Sequence, residues 1–96
     1  MADLLSDEDV EARLGDVEGW AREGDRIVRN LEFEDFAAAM VFVNEVAGAA
    51  EAANHHPDIL VHGWNKVRLE VTNHSAGGLT PADFQLAGTI DEIAAG

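Results

Sequence analysis

The period of the apolar positions changes several times along the chain, and each change marks an element. A short helix is predicted over residues 6–14. Ser6 is a suitable N-cap, Asp9 three residues later forms a capping-box-like pair with it, and Leu5 and Val10 occupy the positions of a hydrophobic staple. Asp7, Glu8 and Asp9 load the first turn with negative charge, Arg13 lies in the last turn and Gly15 stops the helix. Period two follows. Residues 20–23 and 26–33 read as strands around the turn dipeptide Gly24-Asp25. Ile27, Leu31 and Phe33 fall on one face of the second strand, and Arg29 interrupts that face.

Helical spacing returns over 35–52, where Phe36, Met40, Val43, Ala47 and Ala50 form a stripe with Ala39 and Val46 beside it. Val41 and Phe42 lie off that stripe. A helix apolar over more than one face usually has a second partner, so this one predicts an oligomer contact, either a homodimer or a homotetramer. Residues 58–62 and 66–73 read as strands around Gly63-Trp64-Asn65. Val67, Leu69 and Val71 face one way; Arg68, Glu70, Thr72 and His74 face the other. The last helix, 81–94, opens with Thr80-Pro81-Ala82-Asp83, an N-cap followed by Pro at the first helical position and an acid at the third. Leu79 and Phe84 make a second staple, and Phe84, Ala87, Ile90 and Ile93/Ala94 make the buried stripe. The order is α-β-β-α-β-β-α. Hairpin-joined strands pair antiparallel, so the predicted fold is α+β: a four-stranded antiparallel sheet with three helices on one face, in a single domain spanning 1–96.

Composition narrows the function. The chain has no Cys, which excludes a disulfide scaffold, a Cys-based metal site and a thiol nucleophile. Nineteen acids oppose six bases for a formal charge of −13. Phosphate backbones and anionic membranes would be repelled, so neither nucleic acid nor a membrane surface is an expected partner. Dense carboxylates suit a high-salt cytoplasm, and Arg and Ala in preference to Lys suit a GC-rich genome; both readings stand. No apolar run approaches the roughly 20 residues of a membrane span. The acidic N-terminus lacks the basic region of a signal peptide, so the expected location is cytoplasmic.

The four histidines, His55, His56, His62 and His74, fall within a twenty-residue window. They can be hydrogen-bonded loop residues, metal ligands or acid–base groups. Adjacent histidines on extended chain point to opposite faces, which disfavours chelation by His55 and His56 together, and there is no HExxH pattern. Imidazoles titrate near neutrality, so two or three around one pocket can both donate and accept protons. Glu51, Asp58 and Asp83 are carboxylates placed to orient them. Ser6 and Ser75 lack the context of a nucleophile, and the glycines show no phosphate-binding fingerprint.

Glu51-x-x-x-His55-His56-Pro57, Trp64-Asn65-Lys66-Val67, Thr72-x-His74 and Gly78-Leu79-Thr80-x-x-Asp83 together resemble the pterin-4a-carbinolamine dehydratases. The resemblance extends from Gly19-Trp20 to Leu86-Ala87 and covers nearly the whole chain. It implies the same α-β-β-α-β-β-α order and removal of water from a 4a-hydroxytetrahydropterin to give a quinonoid dihydropterin, without metal or cofactor. Protonation lets the C4a hydroxyl leave, and the N5 proton departs as the C4a–N5 double bond forms. The resemblance casts His55, His56 and His74 as catalytic, with His55 and His74 the acid–base pair and His56 holding the pterin or assisting protonation. It casts Glu51 and Asp83 as residues that orient imidazoles or contact the pterin, and Trp64 as either a substrate wall or a packing anchor. It implies pterin recycling beside an aromatic amino-acid hydroxylase; the alternatives it carries are a dimerisation or binding module, as in animal members, and another pterin role such as molybdopterin metabolism. The stretch from Pro57 to Trp64 is one residue longer than in animal members, and His62 within it has no catalytic counterpart.

Overall fold

The side-chain oxygen of Ser6 accepts from the backbone N–H of Asp9 at 3.1 Å and starts α1, Asp7–Leu14. Asp9 does not return the bond, so the box is half formed. The computed structural model describes residues 4–96, so the first three residues of the acidic N-terminal stretch lie outside the described residues. Two strands follow, β1 (Trp20–Glu23) and β2 (Arg26–Glu32), in antiparallel register with Glu23 opposite Arg26. Gly24 takes φ +64° at the first position of the two-residue turn, the conformation only glycine enters at little cost. The helix α2, Phe36–Ala53, begins where Asp35 accepts from the backbone N–H of Ala38 at 2.7 Å. The hairpin of β3 (Asp58–His62) and β4 (Lys66–Val71) and the helix α3 (Pro81–Ala95) complete the chain.

The strands form one antiparallel sheet in the order β1-β2-β4-β3. Its inner face presents Ile27, Leu31, Ile59, Val61, Val67, Leu69 and Val71 to the helices, which contribute Val10, Ala39, Phe42, Val46, Phe84, Leu86, Ala87 and Ile90 to the same core. The order α-β-β-α-β-β-α and the antiparallel α+β architecture are therefore those the periodicities predict. Arg29 lies on this inner face. Its guanidinium donates to Asp91 Oδ1 on α3, and the same oxygen accepts from Trp20 Nε1 at 2.7 Å. The break in the apolar alternation is a paired cation, bridging sheet to helix. Gly19, at φ +79°, lets Arg29 pass: a Cβ there would stand 2.9 Å from its Nε.

The buried line of α2 differs from the expected stripe. Ala39, Phe42, Val46 and Ala50 are buried, Met40 and Val43 are partly so, and Phe36, Val41 and Ala47 are exposed. Phe42 decides the rotation, because its ring meets that of Phe33 with centroids 5.0 Å apart. An almost uniformly apolar helix does not reveal its inner face by period alone. At 18 residues and mean hydropathy 1.3, α2 has the length and composition of a short membrane span, yet Glu45 and Glu51 interrupt it and the line Ala39, Phe42, Val46 and Ala50 is buried in the core.

The sheet's outer face carries an ionic network. Glu70 Oε1 accepts from Arg26 Nη1 at 2.6 Å and its Oε2 from Arg68 Nε at 3.2 Å, while Arg68 Nη2 donates to Glu23 at 3.0 Å. The Glu23–Arg68 pair spans β2, and Val28 beneath it is only 3% exposed. Hydrogen bonds from Arg26, then Arg68, hold the Glu70 carboxyl below its ordinary value.

Candidate active site

Three histidines meet because of the register of one hairpin. Asp58 pairs with Glu70, so two residues farther out His56 stands opposite Thr72. Asn54, His55, His56, Thr72, Asn73, His74 and Ser75 line a cleft of about 210 Å³. His55, His56 and His74 therefore share one cavity.

Each arrives by a different local device. The C-terminus of α2 closes on Asn54, which takes the left-handed conformation at φ +51° and donates its N–H to Ala50 and Glu51 carbonyls. His55 N–H then reaches back to the Ala50 carbonyl at 3.1 Å, the longer bond of a Schellman motif. Pro57 keeps His56 out of the helix. His74 sits in the loop after β4, closed by the bridge between Asn73 and Gly78 and by an Asn73 Oδ1 that accepts from Ala76 N–H at 3.0 Å.

The carboxylates divide between two of the imidazoles. Asp83 Oδ1 lies 2.5 Å from His55 Nε2, and Glu51 Oε1 lies 2.7 Å from His56 Nε2. The settings differ sharply. Asp83 is 0% exposed at the start of α3, whereas Glu51 and His56 are both open to solvent. The second oxygen of Asp83 accepts from Thr80 backbone N–H at 2.7 Å and from the Thr80 hydroxyl at 3.2 Å. The acid expected at the third position of the helix thus serves both the helix cap and the imidazole. Asp58, also considered as an orienting carboxylate, is exposed on β3.

Trp64, read from the sequence as either a packing anchor or a substrate wall, does not line this cleft. The hairpin that returns residues 72–74 to 55–56 sends its tip to the other end of the sheet. The six residues of β4 separate the tip from Thr72, about 20 Å at ~3.3 Å per residue. Trp64 sits at φ +61° and is 61% exposed, with Asn65 N–H donating to Gly63 O across it at 2.7 Å. Asn65 anchors the tip by donating from Nδ2 to Phe33 O at 2.9 Å. The tip also carries His62, away from the other histidines. It borders a larger hollow of about 360 Å³ lined by Asn30, Leu31, Glu32, His62 and Lys66. That hollow holds one imidazole against the cleft's three, so the chemistry, not the volume, marks the candidate site.

Thr80 and Asn54 were not singled out as functional from the sequence. The Thr-Pro-Ala-Asp cap signal contains the first; the second stands directly before the histidine pair, at a helix end, where Asn tolerates a positive φ. Among the described residues, no three His, Asp or Glu side chains are grouped to hold a metal ion.

Comparisons with known proteins give the chain a family. A family model described as pterin 4 alpha carbinolamine dehydratase matches residues 3–93. A protein of Roseiflexus sp. (strain RS-1), provisionally named a pterin-4-alpha-carbinolamine dehydratase, is 53% identical over 93 residues, covering 97% of this chain and 99% of its own. A crystal structure from Brucella melitensis, described as a transcriptional coactivator/pterin dehydratase, superposes with a TM-score of 0.91 at 29% identity, covering 96% of this chain and 99% of that one. A pterin dehydratase-like protein identified as a RuBisCO assembly factor in the alpha-carboxysome shares the fold at a TM-score of 0.67 and 21% identity, over 80% of this chain and 90% of that one. With the match running almost from end to end, the chain belongs to the pterin 4 alpha carbinolamine dehydratase family.

Proposed function

We propose that this protein dehydrates a 4a-hydroxytetrahydropterin to the quinonoid dihydropterin by histidine acid–base catalysis. The observation that carries the reading is the meeting of His55, His56 and His74 in one cleft, with His55 held by a buried carboxylate. One imidazole protonates the C4a hydroxyl, which leaves as water. Another takes the N5 proton as the C4a–N5 double bond forms. His55 and His74 fill these roles; His56, steadied by Glu51, holds the pterin. Such positioned groups contribute about 10²–10⁴-fold each. The reaction needs no redox partner, since neither carbon nor nitrogen changes electron count overall. Its place is pterin recycling in the cytoplasm, behind a hydroxylase that generates the 4a-carbinolamine.

The protein works as a homo-oligomer in this reading. Phe36 and Val41 are more than half exposed on α2, a surface that a second copy would cover. The Brucella melitensis relative is described as both coactivator and dehydratase, so a binding role is the second reading. The grouping of three histidines favours catalysis over binding alone. The test is dehydration of 4a-hydroxytetrahydropterin measured as the excess over the buffer rate. A clear excess, unchanged by chelator, supports the proposal; none leaves the binding role.

A further inference from the structure

We infer that Thr80 is a positioning residue for His55, acting through Asp83, and that the nitrogen His55 offers to the reaction is Nδ1. This rests on the acid–base reading of the cleft for its catalytic meaning, but its geometry stands apart from that reading. Thr80 and Asp83 are both buried, so water does not compete for their hydrogen bonds. Two donors of Thr80, the backbone N–H at 2.7 Å and the hydroxyl at 3.2 Å, converge on Asp83 Oδ2. That fixes the carboxylate and leaves Oδ1 facing His55 Nε2 at 2.5 Å. A carboxylate oxygen accepts, so Nε2 carries the hydrogen, and the lone pair of the neutral ring resides on Nδ1.

The imidazole is held from both ends. Its backbone is tied to the last turn of α2 through the Ala50 carbonyl, and its Nε2 to the first turn of α3 through Asp83. Turning the carboxylate to release His55 would also break the cap of α3. By contrast, the Glu51–His56 pair is solvent-exposed and free to exchange with water. One of the three imidazoles is thus preorganised by the packing of two helices, and preorganised geometry carries rate.

The arrangement makes a specific claim about Asp83→Asn. Thr80's two donors require an oxygen at the Oδ2 position. The amide introduced by this substitution would then direct its NH₂ at His55, which must accept through Nε2 and move its hydrogen to Nδ1. Long-range ¹H–¹⁵N NMR of the His55 ring, at a pH where the ring is neutral, reads this directly. We expect the Nε2–H tautomer in the unaltered protein and the Nδ1–H tautomer in Asp83→Asn, with kcat lowered about 10²-fold or more. Thr80→Val removes only the hydroxyl and should lower kcat about fivefold with KM within twofold, the worth of one hydrogen bond. Thr80→Ser should restore it. An Nδ1–H or mixed tautomer in the unaltered protein overturns the assignment of Nδ1. An Nε2–H tautomer retained in Asp83→Asn overturns the role of Thr80, whether or not Thr80→Val folds. A locked Nε2–H tautomer in a protein without excess dehydration supports the positioning and defeats the catalytic reading instead.

Discussion

Asp83 Oδ1 lies 2.5 Å from His55 Nε2, across 28 residues of sequence and between the ends of two different helices. The contact exists because α2 ends where α3 begins to pack against it. The histidine cluster is therefore assembled by helix termini and one hairpin end, which are the positions where backbone direction changes and side chains can converge.

Trp64 lies outside its own cleft, so Trp64→Gly should leave KM within twofold. Glycine also suits the positive φ, where an L side chain costs about 1–2 kcal/mol. Its greater freedom in the unfolded chain offsets about 0.4–1 kcal/mol of that. Urea unfolding should show stability unchanged or raised by up to about 1.5 kcal/mol. A KM raised tenfold would place the indole at the substrate after all.

Glu70 is held below its ordinary pKa by Arg26 and Arg68. A carboxylate with a lowered folded pKa contributes stability that is fully present above its unfolded value and lost as pH falls through the folded one. Glu70→Gln should therefore destabilise the protein at pH 7, and the gap should close on acidification below the ordinary value of 4.5. Chemical unfolding of both proteins at pH 7 and in acid checks this; a gap that widens in acid contradicts it.

The exposed apolar residues of α2 predict self-association. Light scattering at micromolar concentration should report a dimer or tetramer, and Val41→Glu should shift it toward monomer. A monomer before substitution contradicts the expected contact.

Much of this molecule was legible in residue patterns, and the exceptions share a cause. Cap signals are local, so Ser6, Thr80 and Asp83 were readable, as were the two hairpins from their turn residues and alternation. The inner face of α2 was not readable, because the choice between Phe42 and Phe36 depends on Phe33, outside that helix. Arg29 looked like a flaw in a strand until its partner Asp91, on α3, was in view. The same holds at the site. The histidine pair before Pro57 and the distal His74 could be grouped, but the bond from Asp83 to His55 is tertiary. The choice between a wall and an anchor for Trp64 was not readable, because its position in the motif does not reveal which end of β4 faces the cleft.

The formal charge of −13 makes ionic strength a test of the two compositional readings. Self-repulsion among carboxylates is screened by salt. A melting temperature that rises from low to molar KCl fits a high-salt cytoplasm; a flat or falling curve fits genomic composition alone.

The most direct test of the central claim is steady-state dehydration of 4a-hydroxytetrahydropterin by His55→Ala and His74→Ala, each taken as the excess over the buffer rate. The account predicts a kcat lowered about 10²–10⁴-fold in both with little rise in KM, because the lost interaction belongs to the transition state. His56→Ala should act chiefly on KM, and His62→Ala, at the far end of the sheet, should match the unaltered protein. A kcat preserved in either His55→Ala or His74→Ala would contradict the assignment of these two residues as the acid–base pair.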